Sequence, residues 1–253
     1  MSRLWPRPGI RIALTPGHVA VDDGKAFRES AVAAPGWPGA IRALNGLLAD
    51  GAWRGRADVV LSHHFAHVHC LPSPPLVLKP AEMQGWIRDY LERQFGEAGR
   101  DWQLAWQSEA PGKPFLVGSI AASMLAELQE SLAAAVLKPA SIQPWLAAAW
   151  NRNRRRFANG HAWFALVEPG RLMLASVASG HIHGLRTAPV EGDAATPLAD
   201  LVRREALLTG EDADAPLWVD SVLVHAGWRE LGKGVTVNTL TSGGETIASM
   251  LGG

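Results

Sequence analysis

A single cysteine, Cys70, occurs among the 253 residues, so no intramolecular disulfide can staple this chain. That scarcity fits a reducing compartment and leaves stability to the apolar core. Net charge is also missing: 24 Lys and Arg balance 24 Asp and Glu, leaving no basic field to draw in nucleic acid or an anionic membrane surface. No stretch of roughly 18 to 20 residues is apolar without charge or proline, and Met1-Ser-Arg-Leu-Trp-Pro lacks an apolar h-region, so a soluble, unexported protein is expected. Signature loops are lacking too. Gly243-Gly244 is not followed by Lys-Ser/Thr, and no G-x-G-x-x-G stands between a strand and a helix. Ser119 lies in Val-Gly-Ser-Ile-Ala rather than a G-x-S-x-G elbow, with no identifiable His and acid partners. Walker-type, dinucleotide and serine-hydrolase chemistry are thereby disfavoured.

What is present is a chain rich enough in apolar residues to fold: 47% are hydrophobic and 19% charged, which offsets the ordering entropy that keeps charge-rich chains unfolded. Eleven tryptophans, from Trp5 to Trp228, are spread along the chain, a distribution that suits core and interface packing better than one stacking platform. Ile10 to Val21 is two apolar runs around Pro16-Gly17, which predicts a hairpin, with a third strand from Lys25 to Ser30. Ile41, Leu44, Leu47 and Leu48 have the spacing of an amphipathic helix. Asp58 to Leu71 reads as one β-rich run that ends at Pro72. A helix over Ala81 to Phe95 follows, then a hairpin of Trp102 to Gln107 with Phe115 to Ile120, and a helix over Ser123 to Val136 closed by Pro139. A strand at Ala140 to Gln143 and a helix at Trp145 to Asn153 complete the first half. Beyond the polar segment through Arg156, a meander of His161 to Val167, Arg171 to Ser179 and His181 to Thr187 opens the second half. A helix from Leu198 to Leu208, strands at Ser221 to His225 and Val235 to Thr239, and a short terminal helix end it.

Several clusters could carry chemistry. If His63, His67 and His69 lie in one strand they share a face, and two of them could ligate a metal, with His64 and Cys70 alongside. No second Cys/His pair at zinc-site spacing accompanies them, and Asp58 is the one nearby acid, so solvent-facing strand histidines are the simpler reading and a metal-dependent enzyme the sharper one. Cys70, flanked by apolar residues, reads as core filling rather than a nucleophile. Arg152, Arg154, Arg155 and Arg156 form the one dense basic patch, at a helix end where cations suit the dipole; the other reading is a docking patch for an acidic segment or a lipid headgroup. His181 and His183 alternate on a predicted strand and read as exposed positions.

This order of elements resembles the actin-like domain family of bacterial type IV pilus assembly proteins of the PilM kind, and the related cytoplasmic domain of the type II secretion protein GspL. Four stretches carry the resemblance: Ile10 to Val21, at the place of the family's first phosphate hairpin; Val59-Val-Leu-Ser through His69-Cys-Leu-Pro72; Phe115 to Pro139, above all Ala133-Ala-Ala-Val-Leu-Lys-Pro139; and His161 to Val190. It implies an α/β, actin-like (ribonuclease H-like) fold of two-lobed mixed sheets with flanking helices. The first lobe would be residues 1–156, with an inserted strand-helix subdomain, and the second 157–253. Nucleotide-binding members have Asp-x-Gly and a later Lys in the first hairpin, where this chain has Ala13, Thr15, Pro16-Gly17 and Ala20. Val167-Glu168-Pro169-Gly170-Arg171 replaces a longer Asp-x-Gly loop in the second hairpin, and Ala226-Gly227 is a faint match to the adenosine-side glycine motif.

Resemblance and departures together imply a non-catalytic scaffold rather than an enzyme, with no catalytic residue, cofactor or metal ligand to name. Its partners would be proteins of a type IV pilus or type II secretion inner-membrane platform, a cytoplasmic tail of a membrane protein among them. No nucleic acid partner and no direct membrane span are expected, and a homodimer stays open. The expected location is cytoplasmic, peripheral to the inner membrane through those partners. The alternative is a nucleotide-binding protein or weak ATPase of the actin-like superfamily.

Overall fold

The computed structural model describes residues 9–51, 53–107, 112–158, 160–222, 237–240 and 247–251. The first hairpin forms where Pro16-Gly17 predicts it. Strands β1 (Ile10–Leu14) and β2 (His18–Asp22) are antiparallel, with Ile12 opposite Val21 and Leu14 opposite Val19, and β3 (Phe27–Ala31) pairs with β2. Helix α1 (Trp37–Ala49) carries proline in its first turn, where an N–H would have no partner anyway, and buries Leu44 and Leu48 one turn apart. Strand β4 (Gly55–Leu61) runs parallel to β1; its Val59-Val60-Leu61 end is buried throughout, as a central parallel strand covered on both faces should be.

The second half repeats this plan. Strands β9 (His161–Glu168), β10 (Arg171–Ala178) and β11 (His181–Pro189) form an antiparallel meander. Helix α5 (Ala195–Thr209) follows, and β12 (Leu217–Ser221) then pairs parallel to β9, with β13 (Val237–Thr239) beyond it. The strand order β11-β10-β9-β12-β13 matches the first sheet's β3-β2-β1-β4-β8, where β8 is Leu137–Pro144. Two sheets of one chain thus share a meander at one side and two parallel strands at the other. Leu198, Leu201 and Val202 of α5 pack on Ala165, Val167, Leu172 and Leu174 of the second sheet.

A smaller sheet, ordered β5-β7-β6, is built from β5 (Ala66–Leu71), β6 (Trp102–Trp106) and β7 (Phe115–Ala121). Helix α2 (Pro80–Phe95) covers one face: Ile87 and Leu91 meet Leu71, Phe115 and Val117 in a core of their own. Gly96, at φ +64°, ends that helix in a conformation that glycine adopts without steric cost.

By compactness the described residues fall into two units. The first draws on Met1–Ala66, Ser123–Arg152 and Glu245–Gly253, and the second on His67–Ala122 and Asn153–Gly244. Each is assembled from separated stretches of the chain. The first unit holds the first five-stranded sheet with α1, α3 (Ala122–Ala134), α4 (Trp145–Asn153) and α6 (Ala248–Leu251); the second holds the other two sheets with α2 and α5.

Four expectations need correction. Asp58 to Leu71 is two strands, β4 and β5, because the chain turns at Ser62–Phe65, where Phe65 and Ala66 N–H both donate to the Ser62 carbonyl. Pro139 does not close a helix but lies inside β8. That strand is at the sheet edge, and its register skips Ala140 between the pairs Ala57–Pro139 and Asp58–Ser141, so the missing N–H is accommodated at an irregularity. Val136 belongs to no helical face: it follows α3 at φ +58° and is 74% exposed. The strand expected at Ser221 to His225 instead starts at Leu217 and ends at Ser221; residues 223–225 lie outside the described residues, as do 235–236 of the next expected strand.

Candidate functional site

In a nucleotide-binding protein of this topology, the turns of the two matching hairpins would have to meet phosphate, with side-chain cations or successive free backbone amides to hold it. In the first, Thr15 Oγ1 donates to the His18 carbonyl and accepts from the His18 N–H, both at 2.9 Å, while the Thr15 N–H donates to the same carbonyl. The hydroxyl therefore closes its own turn. Pro16 has no N–H to offer, and the Pro16 and Gly17 carbonyls accept from Gly36 and Val32. Ala13 and Ala20 are fully buried, so from Ala13 to Ala20 there is no carboxylate to orient a metal and no lysine to meet a phosphate.

The second turn is equally short. Glu168 pairs with Arg171, leaving two residues between, with Pro169 ahead of Gly170 at φ +79°, the arrangement of a type II turn. Glu168 is fully buried at the end of β9. A phosphate cradle needs successive free backbone amides, and hydrolysis needs neutralised charge and a positioned water. A two-residue turn with one proline does not supply such a nest, so the described residues of the two turns do not fit a metal-bound triphosphate. Gly243-Gly244 and Ala226-Gly227 lie outside the described residues.

The histidines separate. His63 sits in the turn after β4, buried, stacked on Trp145 of α4 with ring centroids 5.5 Å apart. The neighbouring His64 N–H donates to Ser62 Oγ. His67 and His69 lie two apart on β5 and are half-buried rather than solvent-facing. His69 stacks on Trp102 at 5.6 Å with an interplanar angle of 18°, meets Phe95 at 5.0 Å, and places Nε2 2.9 Å from Ser119 Oγ. Burial, reinforced by the positive charge His67 would carry, holds the His69 imidazole down to about 4. Among the described residues, no three His, Cys, Asp or Glu side chains converge as a metal site.

Ser119 therefore has a histidine partner that the sequence did not reveal, since the two are 50 residues apart and meet only because β5 lies beside β7. The serine is 3% exposed, so the contact satisfies a buried hydroxyl rather than presenting a nucleophile. The arginine cluster also divides. Arg152 donates to the Ser249 and Met250 carbonyls, Arg156 lies over the Trp218 ring at 5.3 Å, and Arg154 and Arg155 are exposed.

Sequence reasoning missed one further constellation. In the second unit Cys70, Pro72, Trp163, Ser176, Arg186 and Glu205 line a cavity of about 270 Å³. Cys70 is half-buried there, and burial pushes its thiol up to about 11 against the opposing pull of Arg186. His181 and His183, expected as exposed strand positions, are both half-buried, and His183 is the extra residue of a bulge: Ser176 pairs with Gly184 and Val177 with Ile182, and His183 Nε2 lies 3.2 Å from the Ala178 carbonyl.

No protein-family profile matches the sequence, and no curated protein sequence is significantly similar to it. Solved structures are similar. The cytoplasmic domain of EpsL, an inner membrane component of the type II secretion system of Vibrio cholerae, is 15% identical, with 96% of this chain and 92% of that one covered at a TM-score of 0.62. A PilM-PilN type IV pilus biogenesis complex contains a chain 13% identical, with 92% and 88% covered at 0.63. A Bacteroides thetaiotaomicron protein with an actin-like ATPase fold and unknown function is 7% identical, with 91% and 90% covered at 0.60. Together with the repeated sheet order, these likenesses show the fold: this chain is an α/β protein of actin-like architecture, built of mixed sheets with flanking helices.

Proposed function

We propose that this protein is a non-catalytic actin-like scaffold that binds protein partners in a type IV pilus or type II secretion-like inner-membrane assembly. The observation that carries the reading is the chemistry of the two hairpin turns: one is closed by Thr15 on His18, the other is reduced to Pro169-Gly170. A frame that keeps both sheets while its turns lack phosphate-holding groups has its surfaces left for contacts. The likeness in fold to the EpsL cytoplasmic domain and to a chain of a PilM-PilN complex supports partners of that kind, a short cytoplasmic tail of a membrane protein among them. Among the described residues no helix is long and apolar enough to cross a membrane.

The test has two arms. Calorimetric titration with Mg-ATP should give no heat of binding and no phosphate release, while synthetic peptides spanning the cytoplasmic tails of inner-membrane pilus and secretion proteins from the same organism should include one that binds saturably. Micromolar Mg-ATP affinity with turnover would replace the scaffold with the weak-ATPase reading.

A further inference from the structure

We propose that the cavity beside Cys70 is a binding site for a small organic carboxylate that carries an apolar group. The proposal stands apart from the scaffold reading, since it needs no pilus or secretion partner. The cavity's 270 Å³ falls just under the roughly 300–1,000 Å³ of drug-sized pockets, which sets the ligand at metabolite or single-residue scale. Pro72, Pro114, Trp163 and Leu174 supply an apolar lining.

The polar side of the lining is arranged around one guanidinium. Glu205, 4% exposed, accepts from Arg186 Nε at 2.8 Å and from Arg204 at 3.3 Å, so two cations share one carboxylate and a positive charge is left over. Arg186 is thereby fixed through its Nε, while 58% of its side chain is exposed and no described residue accepts from either Nη. A guanidinium held this way offers a pre-oriented fork whose geometry matches a carboxylate. Other acids are occupied: Glu211 accepts from Ser176 Oγ with one oxygen and lies 2.9 Å from His161 Nε2 with the other. An inorganic phosphate would leave the apolar lining uncovered, whereas an acid with an aliphatic side chain covers both halves of the site.

Cys70 lines the same cavity and is the chain's single cysteine, so its alkylation reports occupancy at one position. The experiment measures the rate of Cys70 modification by N-ethylmaleimide at fixed pH in the full chain. The additions are N-acetyl-leucine, its neutral amide, and a hexapeptide ending in leucine as free acid or amide. Protection by N-acetyl-leucine but not its amide identifies a free small acid; protection by the peptide acid alone identifies a chain terminus. Arg186→Gln, with its fold checked by circular dichroism, should weaken protection roughly tenfold or more, the scale expected for a lost charge-assisted hydrogen bond. Rates are compared within each protein, because removing the Arg186 charge itself slows the thiol. The proposal is overturned if neither acid protects, if amides protect as well as acids, or if Arg186→Gln is protected as strongly as the wild type.

Discussion

Acidification should destabilise the protein through His69 in particular. The imidazole is held near 4 in the folded state, against an ordinary value of 6.5, because protonating it would bury a charge between Trp102, Phe95 and Ser119. A group depressed by folding contributes stability in full above its unfolded value and loses it as pH falls towards the folded one. The neutral form is preferred by up to about 3 kcal/mol, a ceiling because part of the ring stays open to water; roughly 0.4 kcal/mol is lost by pH 6.5 and about 2 to 3 by pH 4.5. Urea unfolding from pH 7.5 to 4.5, wild type beside His69→Gln, isolates the effect, since glutamine can still hydrogen-bond Ser119 and does not titrate. The wild-type midpoint should fall more steeply than the variant's, with the difference opening below pH 6.5. Parallel profiles would refute the assignment.

Two glycines of α1 should respond to alanine with opposite signs. A Cβ on Gly39 would meet the Ala34 carbonyl oxygen at 1.9 Å and Val32 Cγ1 at 2.7 Å, so Gly39→Ala should lower Tm, whereas Gly46 has nothing within 4 Å and Gly46→Ala should raise stability by up to about 1 kcal/mol. Ile87→Ala empties a fully buried position among Leu71, Leu91, Phe115 and Val117, and should cost about 2 to 5 kcal/mol in urea unfolding.

Element type was legible wherever local chemistry decides it. Pro16-Gly17 and Pro169-Gly170 mark turns by their own backbone preferences, and the three-and-four spacing in α1 and α2 marks the faces that become buried. What escaped was decided by partners remote in sequence. His63 leaves the strand run because Trp145 waits in α4 to stack on it, and Pro139 can sit in a strand only because β8 is an edge with an irregular register. The Ser119–His69 contact and the Arg186–Glu205 pair arise from strand neighbours and from a helix laid across a sheet, and no short-range pattern announces either. The actin-like plan itself was accessible because it is a pattern of order: meander, helix, parallel strand, twice over.

By that division the sheets are held together independently of what their turns carry. The phosphate-facing groups of a hairpin belong to its turn, whereas the sheet is held by strands such as β4, whose buried Val59 and Leu61 contribute roughly 1.5–3 kcal/mol each. A Pro-Gly turn leaves the unfolded chain less conformational freedom to lose, since a compatible proline is worth about 0.4–1 kcal/mol. That saving favours the folded state. The same logic separates the turns from the cavity beside Cys70. There Glu205 remains buried, and Arg186 remains half in water at its side, an arrangement that tighter apolar packing would simplify if stability were its whole purpose.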